Sequence, residues 1–262
     1  MSTHHPTLAR LLAAVALALA ALAAPARGQT IVPLNTGYNH AVFAPYPAAT
    51  STPSTVADRY WINIASYPTT NPSVGPSWVL QANLSWAPSL PASHWISAWK
   101  TANSPTGASA SNPAYSIFRK CFCLLPNYTN PSLSFRARAD NRIQVWFNSI
   151  TNVALPPSVG NFNGPPLASV PSSPAWFRTG LNCLYVLVED TGGLMGFNLS
   201  GTIQANGLLP LAAFDTAQSF DGCNCARTAV PRAQARMADD EAVTVAAIRR
   251  IAEERRANPP RQ

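Results

Sequence analysis

Ionisable side chains are scarce in this chain: 11% of its 262 residues are charged. Between residues 31 and 210 there are four carboxylates, Asp58, Asp140, Glu189 and Asp190, and two histidines, His40 and His94. That scarcity excludes most acid–base machinery. Glycoside hydrolysis needs two carboxyls across one scissile bond, and the adjacent Glu189 and Asp190 must point to opposite faces of a strand. Asp58 and Asp140 sit beside Arg or Asn at apparent turns, where local hydrogen bonding is the expected role. No Gly-x-Ser-x-Gly elbow, His-Glu-x-x-His pair or phosphate-cradling glycine loop occurs, and nothing organises a triad from distant Ser, His94 and Asp. One or two acids do not make an oxygen cage for calcium. The reading is therefore non-enzymatic, with no catalytic residue, metal or cofactor implied.

Long apolar runs are also missing, except near the start. There Arg10 precedes an apolar stretch from Leu11 to Ala24, with small residues at Ala24-Pro-Ala26 and Ala26-Arg-Gly28. A basic head, a short apolar core and a small-residue cleavage site describe a signal peptide over 1–28. The stretch falls short of the ~20 apolar residues that a bilayer span requires. The expectation is a secreted, extracellular protein with no transmembrane segment. The net charge of +7 is spread over single Arg and Lys residues, too dilute a field to make nucleic acid the expected partner.

What the chain does have is alternation. Residues 29–57, rich in Pro, Thr, Ser and Ala, read as an extended N-terminal segment. Strand candidates follow at Tyr60–Ala65, Trp78–Trp86, His94–Trp99, Tyr115–Leu125, Leu133–Ala139, Ile143–Ser149, Cys183–Glu189 and Gly196–Ile203. Trp78, Leu80, Ala82, Leu84 and Trp86 share one face of their strand. Asp140-Asn141 reads as a hairpin turn, because Asn tolerates the positive φ such turns need. The Pro- and Gly-rich stretch 154–174 reads as a long loop. Eight strands separated by turns predict an all-β sandwich or jelly roll over 58–204.

Beyond it, residues 205–235 form a cysteine-containing connector and 236–262 a charged helical tail. Asp239-Asp240-Glu241 opens the helix, and Arg249-Arg250 and Arg255-Arg256 close it, complementing the helix dipole. Its apolar stripe, Val245, Ile248 and Ala252, is narrow and fits a solvated helix better than a docked one. The five cysteines are Cys121, Cys123, Cys183, Cys223 and Cys225. In an exported chain disulfides are preferred to a zinc site, and one attractive pairing joins the two Cys-x-Cys elements. Asn83, Asn127 and Asn198 are Asn-x-Ser/Thr acceptors, all three expected to be accessible.

A recognition surface needs less chemistry than an enzyme does. On the Ile143–Ser149 strand, Ile143, Val145 and Phe147 face inward, leaving Arg142, Gln144, Trp146 and Asn148 outward. Arg136 and Arg138 would extend that surface from the preceding strand. The competing reading, favoured by how often Trp is buried, covers Trp146 with the 154–174 loop or the tail. Trp86, Trp95 and Trp99 are expected in the core.

One family resembles this pattern. Asp58-Arg-Tyr-Trp-Ile, Ser93-His-Trp-Ile-Ser, Tyr115-Ser-Ile-Phe-Arg, Ala139-Asp-Asn, Gly180-Leu-Asn-Cys-Leu-Tyr-Val and a closing Gly-Gly-Leu-Met-Gly-Phe-Asn-Leu are similar to a jelly-roll module of secreted bacterial surface proteins. Such modules, often found with a PEP-CTERM sorting tail, resemble galactose-binding-like domains. The resemblance spans roughly residues 35–204 and rests on turns and strand cores, so it transfers no binding residue. It implies a jelly-roll (galactose-binding-like) β-sandwich with an extracellular role in adhesion or carbohydrate binding. The chain departs from it in its Cys-x-Cys pairs, its charged helix and the lack of an apolar C-terminal anchor. The expected partner is a glycan or extracellular surface component. A structural part of a matrix, wall or surface assembly is the alternative, and a glycan-acting hydrolase ranks third.

Overall fold

The computed structural model describes residues 29–67, 74–81, 83–209 and 231–258. The expected signal peptide over 1–28, Cys223 and Cys225 lie outside them. The chain enters as β1 (Thr30–Pro33), a small hairpin of β2 (Tyr38–Asn39) and β3 (Ala44–Pro45), then β4 (Ala57–Tyr67), β5 (Gly75–Val79) and β6 (Ile96–Ser97). Next come β7 (Ala114–Asp140), β8 (Arg142–Phe147), β9 (Ser149–Val159), β10 (Leu167–Ala168), β11 (Gly180–Asp190) and β12 (Gly196–Leu208). A helix, α1 (Pro231–Ala257), follows. It is not long and apolar enough to cross a membrane.

The all-β class is as expected. The strands hydrogen-bond in the order β1-β12-β6-β5-β4-β7-β11-β8-β9, and β12 also pairs with β7. That extra pairing closes β12, β6, β5, β4 and β7 into a barrel-like ring. Closure depends on β7. Drawn straight, its 27 residues would span about 90 Å at the usual rise, so the strand must bend. Pro126, Pro131 and Asn130, with φ of +51°, mark the place. Before the bend even-numbered residues such as Phe118 and Phe122 are inside; after it odd-numbered ones, Phe135 and Ala137, are inside. The first half pairs with β4 and β11, the second with β12 and β10. The two strand candidates 115–125 and 133–139 are thus one strand serving two walls.

The walls meet through aromatic contacts. Phe197 of β12 lies 5.4 Å from Trp61 of β4 and 4.7 Å from Phe118 of β7, measured between ring centroids. Phe122 stacks at 5.8 Å on Phe147 of β8. Burying each of these rings contributes on the order of 2–3 kcal/mol. The wall β4-β7-β11-β8 is covered outside as well: Ile248 and Ala252 of α1 pack on Ile62, Ile64, Ile117, Trp146, Tyr185 and Leu187. The narrow stripe is docked rather than solvated.

Several expectations change here. Asp140-Asn141 is no hairpin, since β8 pairs with β11 and β9 and not with β7; it carries the chain from one wall to the other. The 154–174 stretch holds part of β9 and all of β10, and the N-terminal segment supplies β1 at the sheet edge. Strand β5 ends at Val79, and Leu84 is fully exposed instead of sharing the buried face of Leu80 and Trp86, because Asn83 accepts from the Ser85 N–H in a turn. Helix α1 begins at Pro231.

Cys121 bonds to Cys183, its direct neighbour in register across β7 and β11; the expected link between the two Cys-x-Cys elements rests on Cys223 and Cys225, outside the described residues. Cys123 is disulfide-bonded too. Of the glycan acceptors, Asn127 is exposed and Asn83 half-buried. Asn198 is fully buried: it donates to Thr36 Oγ1 and Ser93 Oγ and accepts from the Leu90 N–H. No glycosyl group can reach it in the folded state.

Candidate ligand cleft

Antiparallel register places directly opposed side chains on one face, and one rung of this sheet collects polar groups. Tyr67 of β4 opposes Tyr115 of β7, Tyr115 opposes Glu189 of β11, Glu189 opposes Arg142 of β8, and Arg142 opposes Val159 of β9. The last turns of α1 ride over this rung. Tyr67 Oη donates to Glu253 at 3.1 Å, Arg256 Nε to Asn112 Oδ1 at 3.2 Å, and Arg255 to Gln144 Oε1. Further up the helix, Arg249 donates to the Ile64 carbonyl and Thr244 to the Asn148 carbonyl. Basic residues at a helix C-terminus are favoured by its partial negative charge.

Where α1 ends, a cleft of about 340 Å³ remains between helix and sheet, lined by Arg142, Glu189, Arg255, Ser158, Asn258 and Pro157 among others. Two buried polar atoms on the rung, Glu189 Oε2 and Tyr115 Oη, have no hydrogen-bond partner among the described residues. Such orphans carry the desolvation cost of an unmade bond. Burial pushes the Glu189 carboxyl above its ordinary range, opposed by the Arg142 and Arg255 charges. Burial also raises the Tyr115 phenol, with Glu189 adding to it. Burial draws the Arg255 guanidinium down, against Glu189.

Only part of the expected surface comes together here. Arg142 lines the cleft, and Gln144 is buried beneath Arg255. Trp146, 1% exposed, lies under α1, so the tail, not the 154–174 loop, covers it. Asn148 points into a turn, accepting from the Cys183 N–H at 2.7 Å and donating to Asn182 and the Trp176 carbonyl. Arg136 and Arg138 stand on the second half of β7, in the other wall. Arg136 is exposed, and Arg138 is tied to the Gly164 and Pro88 carbonyls. The bend in β7 separates them from Arg142. Trp86 and Trp95 stack at 4.3 Å and are buried, as expected. Glu189, Ser158, Arg255 and Asn258 escaped the sequence reading, because only the β8–β11 pairing and the docked helix bring them together.

The other carboxylates serve the fold. Asp58 accepts from the Gly37, Tyr60 and Trp61 N–H groups, and Asp140 from Trp86 Nε1 at 2.8 Å. Burial raises the Asp140 carboxyl to about 6, with Asp190 adding to it and the Trp86 bond opposing it. Lys120 Nζ lies 2.9 Å from His40 Nε2 inside the ring. Burial draws the lysine down to about 7, against Asp58, and draws His40 down to about 2 with the Lys120 charge assisting. All three are enclosed, so no substrate reaches them. Among the described residues no three His, Cys, Asp or Glu side chains are grouped to hold a metal ion. No family model, curated protein or solved structure matches the chain.

Proposed function

We propose that this chain is a secreted, non-catalytic jelly-roll-type module that binds carbohydrate at an extracellular surface. The observation that carries the reading is the cleft at the end of α1, where the Glu189 carboxyl, one of its oxygens buried without a partner, lies with two arginines in the lining. Sugar hydroxyls donate and accept at once, so they suit a cleft lined by a carboxyl acceptor and guanidinium donors. The volume lies at the low end of small-molecule pockets, enough for one or two sugar rings. A hydrolase reading lacks its second carboxyl: Glu189 is the cleft's acid, and Asp190 is turned to the other face, its Oδ1 accepting from the Gly192 N–H.

A glycan array probed with the exported chain tests this. Binding is expected to at least one glycan class and to fall at least tenfold in Glu189→Gln, which keeps the shape but puts a donor at one of the two carboxylate oxygens. An array with no binding above background would refute the reading. Membership of a surface assembly draws on a different observation. Val42 and Phe43, 65% and 74% exposed, stand at the tip of the β2–β3 hairpin, an apolar knob of the kind that seats in a partner. Sedimentation of the wild type against Phe43→Ser distinguishes the two: concentration-dependent association abolished by the substitution favours assembly.

A further inference from the structure

We propose that the cleft takes an acidic sugar, a uronic acid residue of a glycan, with its carboxylate held between Arg142 of β8 and Arg255 of α1 and a ring hydroxyl donated to Glu189. This rests on the carbohydrate-binding reading and adds the class of ligand. The argument is one of complementarity. Two arginines from different elements line one opening of about 340 Å³, Arg255 giving one of its guanidinium nitrogens to Gln144, and Arg is the side chain best matched to a carboxylate, by charge and by its planar fork. Arg256, on the same helix turn, adds positive charge nearby. A neutral sugar would supply a hydroxyl for Glu189 but leave that one carboxyl as the counter-charge to both arginines. A free sulfate ion would supply charge but no donor for the Glu189 carboxyl. A uronate brings both on one ring.

The site is composite. Arg255 and Asn258 come from the C-terminal element and the rest from the sheet, so the helix that covers Trp146 also completes the cleft. Ligand binding and helix docking must then favour each other.

Calorimetry with the full exported chain would compare a galacturonate trimer, its methyl ester and a galactose trimer. The acid is expected to bind at least tenfold more tightly than either neutral ligand. Arg142→Ala and Arg255→Ala should each remove most of that preference, whereas Arg136→Ala, on the other wall, should leave it intact. Acrylamide quenching of tryptophan reports whether Arg255→Ala has released the helix; if it has, Arg142→Ala alone decides. Equal binding of acid and ester, or a preference indifferent to Arg142, overturns the uronate assignment while leaving carbohydrate binding in place. No binding of any of the three, together with a blank array, removes both.

Discussion

Two buried residues make opposite claims on stability across the same pH window. His40 is held neutral, its pKa drawn from 6.5 to about 2, so below pH 6.5 the unfolded chain binds a proton that the folded one refuses. Stability from this group is complete above 6.5 and lost on acidification, by about 2–3 kcal/mol at pH 4.5. His40→Gln keeps an acceptor for Lys120 and removes that sensitivity. Asp140 works the other way. Its carboxyl is raised from 3.8 to about 6, so the folded state binds the extra proton, and stability falls by about 3 kcal/mol as pH climbs through that interval. Asp140→Asn should therefore gain on the wild type from pH 4 to 7, while His40→Gln should gain on it from pH 7 to 4.5. Urea melts at four pH values would show it. Curves that run parallel to the wild type would mean that neither proton is linked to folding.

At the scale of elements, the helix and the strand beneath it explain each other. Cys183-Leu-Tyr-Val-Leu-Val188 is apolar on both faces, the pattern of a strand covered on both sides, and α1 is its outer cover. Most of the strand content was legible in the sequence, because alternation reports half-buried strands directly, but this run was read as one more alternating strand and its second apolar face was missed. The docking of α1 was not legible, since a stripe as narrow as Val245, Ile248 and Ala252 looks the same on a solvated helix as on a covered one. The cleft was less legible still. Arg142 stood out as an outward polar residue, but Glu189 faces it only through a pairing of non-sequential strands, and Arg255 arrives from over a hundred positions away. Ile248→Ala tests the docking. The residue is fully buried, so the substitution should cost about 2–4 kcal/mol of docking and expose Trp146. Acrylamide quenching and hydrogen exchange in β8 and β11 should both rise, with the opposite wall unchanged. Unaltered quenching would mean that the helix does not rest on this face.

The whole molecule is a ring closed by one bent strand, with β11, β8 and β9 hanging from it on one side. This extension supplies the sheet side of the cleft, and it is held to the ring by the β7–β11 ladder, by the Cys121–Cys183 bond across that ladder and by α1, which packs on strands of both parts. The bond crosses that ladder at the fourth rung from its Gly180 end and links positions 62 residues apart in sequence. A cross-link of that span limits the unfolded chain by about 4 kcal/mol on the chain-entropy account, and 2–4 kcal/mol is the usual yield. It therefore belongs to the stability of the extension more than to the ring, whose closure rests on β7 and β12. Replacing both cysteines by serine should lower the denaturation midpoint by an amount worth 2–4 kcal/mol. In partially denaturing urea, β11, β8 and β9 should lose their amide protection before β12 and β4. If all strands open together in the double variant, the ring and its extension are one cooperative unit. The cleft would then share the stability of the whole barrel and not the lesser stability of its edge.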